Sequence, residues 1–99
     1  MGGGGPTSRY RILSWRGIPS AVRVWPEEGR PLSRSLSVRW QQEIDRVAMR
    51  EGLAGKDAYM AQWEWSGDLE RAGTVEEVLA AVMAELEATW EDVRGRGGG

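Results

Sequence analysis

The stretch Gly73-Thr74-Val75-Glu76-Glu77 constrains this chain more than any other. Thr74 is placed to be a helix N-cap and Glu77 lies three residues on, so each side chain can accept from the other's backbone N–H, forming a capping box. Behind it, Val75, Val78, Leu79, Val82, Met83, Leu86, Trp90 and Val93 recur at the helical period. The pattern predicts one helix of about 18 residues with an apolar stripe that a second layer must cover. Leu36, Trp40, Ile44, Val47 and Ala48 share another helical face, predicting a helix over about 38–51 with Ser37 as N-cap. Gly52 followed by Leu53 fits a Schellman ending. Asp57 is placed to cap a short helix over 58–63 that presents Tyr59, Met60 and Trp63.

Strand signals surround these helices. Tyr10–Trp15 (YRILSW) and Ala21–Trp25 (AVRVW) are β-branched and aromatic, and Arg16–Ser20 between them contains Gly17 and Pro19, predicting a hairpin. WEWSGDLER, Trp63–Arg71, alternates with Trp63, Trp65 and Leu69 on one side, predicting a strand with one wet face and a bulge at Gly67. The order β-β-α-α-β-α predicts an α+β fold: a three-stranded antiparallel sheet with helices packed on one face. Residues 1–8 and 94–99 are Gly-rich and read as flexible tails around a single domain over 9–93. With no Phe in the chain, the six Trp must supply the large core volumes.

The chain has no Cys and no His, which removes disulfides, thiol nucleophiles, His-based triads and zinc sites. The one lysine, Lys56, stands on an expected surface turn. The segment Gly52-Leu53-Ala54-Gly55-Lys56-Asp57 fails as a phosphate loop, because position 50 is Arg and Lys56 is followed by Asp. Glu76/Glu77 belong to the cap, and Glu27/Glu28 and Glu91/Asp92 read as solvated faces. No catalytic, cofactor-binding or metal-ligating residue is assigned, and the chain is read as non-enzymatic, with a carboxylate-based or metal-assisted enzyme as the remaining alternative. No apolar run reaches the ~18 residues of a membrane helix, and a cytoplasmic protein without a membrane partner is expected.

Charge is distributed unevenly. Residues 1–50 carry nine Arg against four acids, a balance of +5, while residues 51–99 carry four bases against eleven acids, a balance of −7. Two halves of opposite sign can neutralise each other on packing, drive self-association, or offer a basic face to nucleic acid. The last option has Arg9, Arg11, Arg16, Arg23, Arg30, Arg34 and Arg39 interleaved with Trp15 and Trp25, the combination that binds single strands. Against it stands the acidic pI of about 5.2.

Three segments together resemble the small bacterial "virulence factor" domain family: Trp15-Arg16-Gly17-Ile18-Pro19-Ser20-Ala21-Val22, Ala48-Met49-Arg50-Glu51-Gly52-Leu53 with Asp57-Ala58-Tyr59 and Trp63, and Gly73-Thr74-Val75-Glu76-Glu77-Val78 leading to Glu85-Leu86-Glu87. The resemblance spans about residues 10–90. It implies a small cytoplasmic domain, alone or attached to larger proteins, with no established catalytic residues. Ala21 departs from the family pattern, which carries a polar residue there.

The resulting expectation is a protein-interaction module with a protein partner or a second copy as its ligand, and single-stranded nucleic-acid binding by the N-terminal hairpin as the alternative. The expected surface is Trp15, Arg16, Ile18, Pro19, Arg23 and Trp25, because Trp and Arg are enriched at interface hot spots and an Ile-Pro turn is costly to leave wet. A candidate polar pocket is framed by Arg50, Asp57 and Tyr59 beside the hairpin.

Overall fold

The computed structural model describes residues 5–53 and 55–98, with the side chains of 96–98 left aside. The elements run β1 (Thr7–Trp15), β2 (Ile18–Trp25), β3 (Leu32–Ser35), α1 (Val38–Arg50), α2 (Asp57–Ala61), β4 (Trp63–Trp65), β5 (Leu69–Ala72), α3 (Val75–Glu87) and α4 (Trp90–Gly98). The fold is α+β, and its sheet is antiparallel in the order β3-β2-β1-β4, with β5 also pairing β1. Of the spans read as tails, residues 1–4 and 99 lie outside the described residues. Within the rest, β1 starts at Thr7 and α4 runs to Gly98.

The sheet has five strands, not the three expected. One addition is β3, which pairs Leu32–Ser35 with Val24–Ala21. Only one of its four residues is apolar, so it carries no period-two signal, and its partner strand imposes its conformation. The other comes from a break in the expected third strand. β4 pairs Leu13–Trp15 and β5 pairs Thr7–Tyr10, leaving Arg11 and Ile12 opposite Ser66, Gly67 and Asp68. That extra residue is a β-bulge at the place Gly67 indicated. Ser66 closes it: its N–H donates to the Ile12 carbonyl at 2.8 Å, and its Oγ accepts from the Ile12 N–H at 2.9 Å.

The β1–β2 connection is tighter than the five-residue loop expected. Trp15 pairs directly with Ile18, so Arg16 and Gly17 alone make the turn. Their φ values of 50° and 83° are both positive, as a type I′ hairpin turn requires. A second irregularity lies between Leu13 and Ser14, where Leu13 pairs Ala21 and Ser14 pairs Pro19. The residue left over on β2 is Ser20, whose carbonyl accepts from the Leu36 N–H at 2.8 Å. Across this bulge the core-packed positions of β1 change from Ser8, Tyr10 and Ile12 to Trp15.

Two clusters make the core. Val22 and Val24 of β2 pack under Val78, Leu79 and Val82 of α3. Trp15 and Ile18 pack with Leu36, with Trp40, Ile44, Val47 and Ala48 of α1, and with Val93 of α4. Met83 and Leu86 touch both clusters and join them. Trp15 and Trp40 are the two largest fully buried side chains, the volumes a Phe-free core needs.

Two helix ends follow local chemistry closely, and three do not. The capping box forms, with Glu77 N–H on Thr74 Oγ1 and Thr74 N–H on Glu77 Oε1. After α1, Leu53 N–H reaches the Ala48 carbonyl at 2.7 Å and Gly52 N–H the Met49 carbonyl at 3.1 Å, a full Schellman motif. The expected cap role of Asp57 is not realised: Lys56 is the extended N-cap, Asp57 is the first helical residue, and no side-chain cap bond forms. The single long C-terminal helix also divides. Thr89 turns its hydroxyl onto the Leu86 carbonyl at 2.7 Å, competing with the backbone ladder, and α4 starts afresh at Trp90.

Ser37 is the α1 N-cap by position, yet its own side chain makes no cap bond. The cap comes from α3. Glu87 accepts from the Ser37 N–H at 2.8 Å and the Ser37 hydroxyl at 3.0 Å, and from Arg39 Nη2 at 3.0 Å and Trp40 Nε1 at 2.8 Å. A carboxylate at a helix N-terminus satisfies orphan amides and complements the dipole.

Candidate functional site

The expected surface separates into three groups. Trp15, Ile18 and Pro19 are buried, and Trp15 and Ile18 are 0% and 5% exposed. Because the turn uses only Arg16 and Gly17, Ile18 and Pro19 become strand residues, and Ile18 folds onto the helices as core. Trp15 is held by its indole N–H on the Tyr59 carbonyl at 2.8 Å and by ring contact with Tyr59 at 5.4 Å. None of these three can form a contact surface. Arg16 remains at the turn, and Arg23 and Trp25 lie further along β2.

Arg23 and Trp25 belong to the sheet face opposite α3. The cross-strand pairs Tyr10–Val24 and Ile12–Val22 face the core, so the alternate pairs Arg9–Trp25 and Arg11–Arg23 face away from it. There the Arg11 guanidinium stands 5.9 Å from the Trp25 ring and that of Arg23 stands 5.2 Å from the Trp65 ring. Trp65 was expected to share a buried side with Trp63 and Leu69. Instead Trp65 and Leu69 are 38% and 41% exposed: Trp65 pairs with Leu13 and turns to the Arg23 side of the sheet, while Leu69 pairs with Tyr10 across the bulge. Arg23 also donates through Nε to Ser33 Oγ at 2.9 Å. Asp68, from the bulge, accepts from Arg11 Nε at 2.7 Å and lies 3.8 Å from Arg9. The hydrogen bond from Arg11 lowers the Asp68 pKa, so this carboxylate stays ionised.

The second feature is a cleft of about 260 Å³ between the β1–β2 turn and the end of α1, lined by Arg16, Gly17, Ile18, Val47, Arg50, Glu51 and Val93. Of the expected polar pocket only Arg50 is here. Asp57 is exposed at the start of α2, and the Tyr59 ring is packed between Trp15 and Trp63. In their place stand Arg16 and Glu51, which form an ion pair, with Arg50 Nη2 at 3.7 Å from Glu51. The hydrogen bond from Arg16 lowers the Glu51 pKa, with added help from the Arg50 charge. Glu51 carries no sequence signal, since its partner is 35 residues away.

Ion pairs also join the two oppositely charged halves of the chain. Arg11 meets Asp68 at 2.7 Å, Arg39 meets Glu87 at 3.0 Å, and Arg16 meets Glu51. Among the described residues no cluster of three or more acidic, His or Cys side chains could hold a metal ion, and no helix is long and apolar enough to cross a membrane.

The architecture defines a small α+β domain with one uncovered sheet face. Residues 13–95 match the family model described as Virulence factor, and the chain belongs to that family. Comparison with curated proteins and with solved structures returned no match.

Proposed function

We propose that this domain is a non-enzymatic interaction module that takes a protein partner on the sheet face formed by Arg11, Arg23, Trp25 and Trp65. The paired Arg–Trp contacts on this face carry the reading. They hold flat aromatic and guanidinium surfaces side by side on rigid strands, the side-chain types most enriched at binding hot spots. Asp68 offsets Arg9 and Arg11 there. A mixed-sign face suits a protein surface better than a polyanion. The same rings and cations support single-strand nucleic-acid binding as a second reading, with stacking supplied by Trp25 and Trp65. A cysteine-free chain has no disulfide to lose in a reducing compartment, which supports placing the module in the cytoplasm.

A photo-crosslinking residue at position 65, with a control at exposed position 38, tests this in the native cell. Protein adducts formed from 65 but not from 38, and lost on Arg23→Ala, are the expected result. Adducts to nucleic acid at 65, with Trp fluorescence quenched by oligonucleotides in a salt-dependent way, would select the second reading. Equal adducts from both positions would remove the face as a site.

A further inference from the structure

The cleft at the β1–β2 turn has a composition that the fold does not explain. Its floor is the small exposed remainder of Ile18, Val47 and Val93, which are 5%, 5% and 7% exposed. Its rim is two guanidinium groups and one carboxylate, a net positive charge. Arg16 reaches this rim from a left-handed backbone conformation at φ 50°, which Gly or Asn would adopt at less cost.

We propose that this cleft binds a carboxylate carried on a short aliphatic group, with Arg50 as the anion holder. Glu51 stays on Arg16, with which it makes the closer contact, while Arg50 meets Glu51 only loosely at 3.7 Å. The planar fork of Arg50 therefore keeps an edge for two parallel N–H···O bonds to an incoming carboxylate. The aliphatic group lies on Ile18, Val47 and Val93. A volume of about 260 Å³ falls below that of drug-sized sites and admits a small acid or the last residue of a chain. The Schellman motif engages the Ala48 and Met49 carbonyls and so reduces, without removing, the repulsion of an anion by the negative end of α1, which Arg50 must outweigh. This site is independent of the sheet face.

NMR of the full chain, following the Arg50 Nε–Hε signal in the wild type and the Gly17 and Val47 backbone amides in the wild type and every variant, tests the proposal with isovalerate and N-acetylvaline as probes and isovaleramide as control. A saturable shift with either acid and none with the amide is expected. A response to isovalerate alone identifies a free acid as the ligand type, and a response to N-acetylvaline alone a peptide C-terminus. Arg50→Gln should weaken binding by about ten-fold or more, Arg50→Lys should retain part of it, and Glu51→Gln should tighten it about three-fold by removing a nearby like charge. Equal shifts from acid and amide overturn the carboxylate site. So does the lack of saturation up to about 50 mM acid, or unchanged affinity in a folded Arg50→Gln variant. If Arg50→Gln fails to fold, the decision passes to Glu51→Gln, whose failure to tighten binding overturns the site.

Discussion

The indole N–H of Trp40 on α1 donates to Oε1 of Glu87 on α3 at 2.8 Å, so a buried ring in one helix is satisfied by the last residue of another. Ser37 and Arg39 converge on the same carboxylate. This one side chain caps α1, pairs a guanidinium and ties the start of α1 to the end of α3.

Glu87 should make the domain acid-sensitive. Burial alone would push its pKa up. The Ser37 amide, the Trp40 indole, the Ser37 hydroxyl and Arg39 outweigh that and bring it down to about 2. A carboxylate depressed on folding contributes stability above its unfolded pKa of about 4.3 and loses it as pH falls through the folded value. Glu87→Gln should cost about 2 kcal/mol at pH 7. The gap between wild type and variant should close between about pH 4.5 and pH 2. Urea unfolding at several pH values measures it, and a gap that does not change with pH contradicts this role.

The tryptophans should divide sharply by position. Trp15→Ala empties a fully buried site and should cost about 3–5 kcal/mol, enough to unfold much of a domain this small. Trp65→Ala removes a ring that is 38% exposed and should change stability by less than about 1 kcal/mol. Thermal melts of both variants decide. Similar losses would mean that Trp65 is core as well.

Ser66→Ala should free the Ile12 amide. Ser66 Oγ is the acceptor for this half-buried N–H at the bulge, so its loss should cost about 1–2 kcal/mol. Hydrogen exchange should show the Ile12 amide losing protection first, while the amides of the β1–β2 pairing keep theirs. Unchanged exchange at Ile12 would show that another group closes the bulge.

Two glycines should differ in how far they resist alanine. Gly52 has φ 71° with nothing within 4 Å of an added Cβ, so Gly52→Ala should cost about 1–2 kcal/mol from backbone strain alone. Gly73 has φ 131°, and a Cβ there would meet Val78 Cγ2 at 3.3 Å and Glu77 Cβ at 3.4 Å. Gly73→Ala should cost about 3 kcal/mol, strain and crowding together. Chemical denaturation gives the order of the two costs, and the reverse order would place the strain elsewhere.

Features governed by neighbours in the chain were legible before the fold. Thr74 and Glu77 lie within one helical turn, as do Gly52 and Leu53 with the carbonyls they cap, so local geometry alone specifies these ends. The helical face of α1 follows from periodicity and the bulge from the glycine at position 67, both local signals.

Features that join distant parts of the chain were not legible. One leucine among three polar residues could not announce β3, because its conformation comes from pairing with β2. Trp63 and Trp65 have the same parity in sequence, yet one is half-buried beside Tyr59 and the other faces Arg23 across β1. Ile18 looked like a turn residue until Trp15 paired with it and narrowed the turn to Arg16 and Gly17. Arg50 and Glu51 are adjacent at the end of α1, but only tertiary packing brings Arg16 to them and closes the cleft. Dihedral preference and periodicity act over a few residues, and the sequence by itself determined the capping box, the Schellman ending and the class of fold through them. Strand pairing, the side on which each tryptophan falls, and the convergence of three charges at one cleft depend on contacts between segments tens of residues apart, which only the tertiary structure decided.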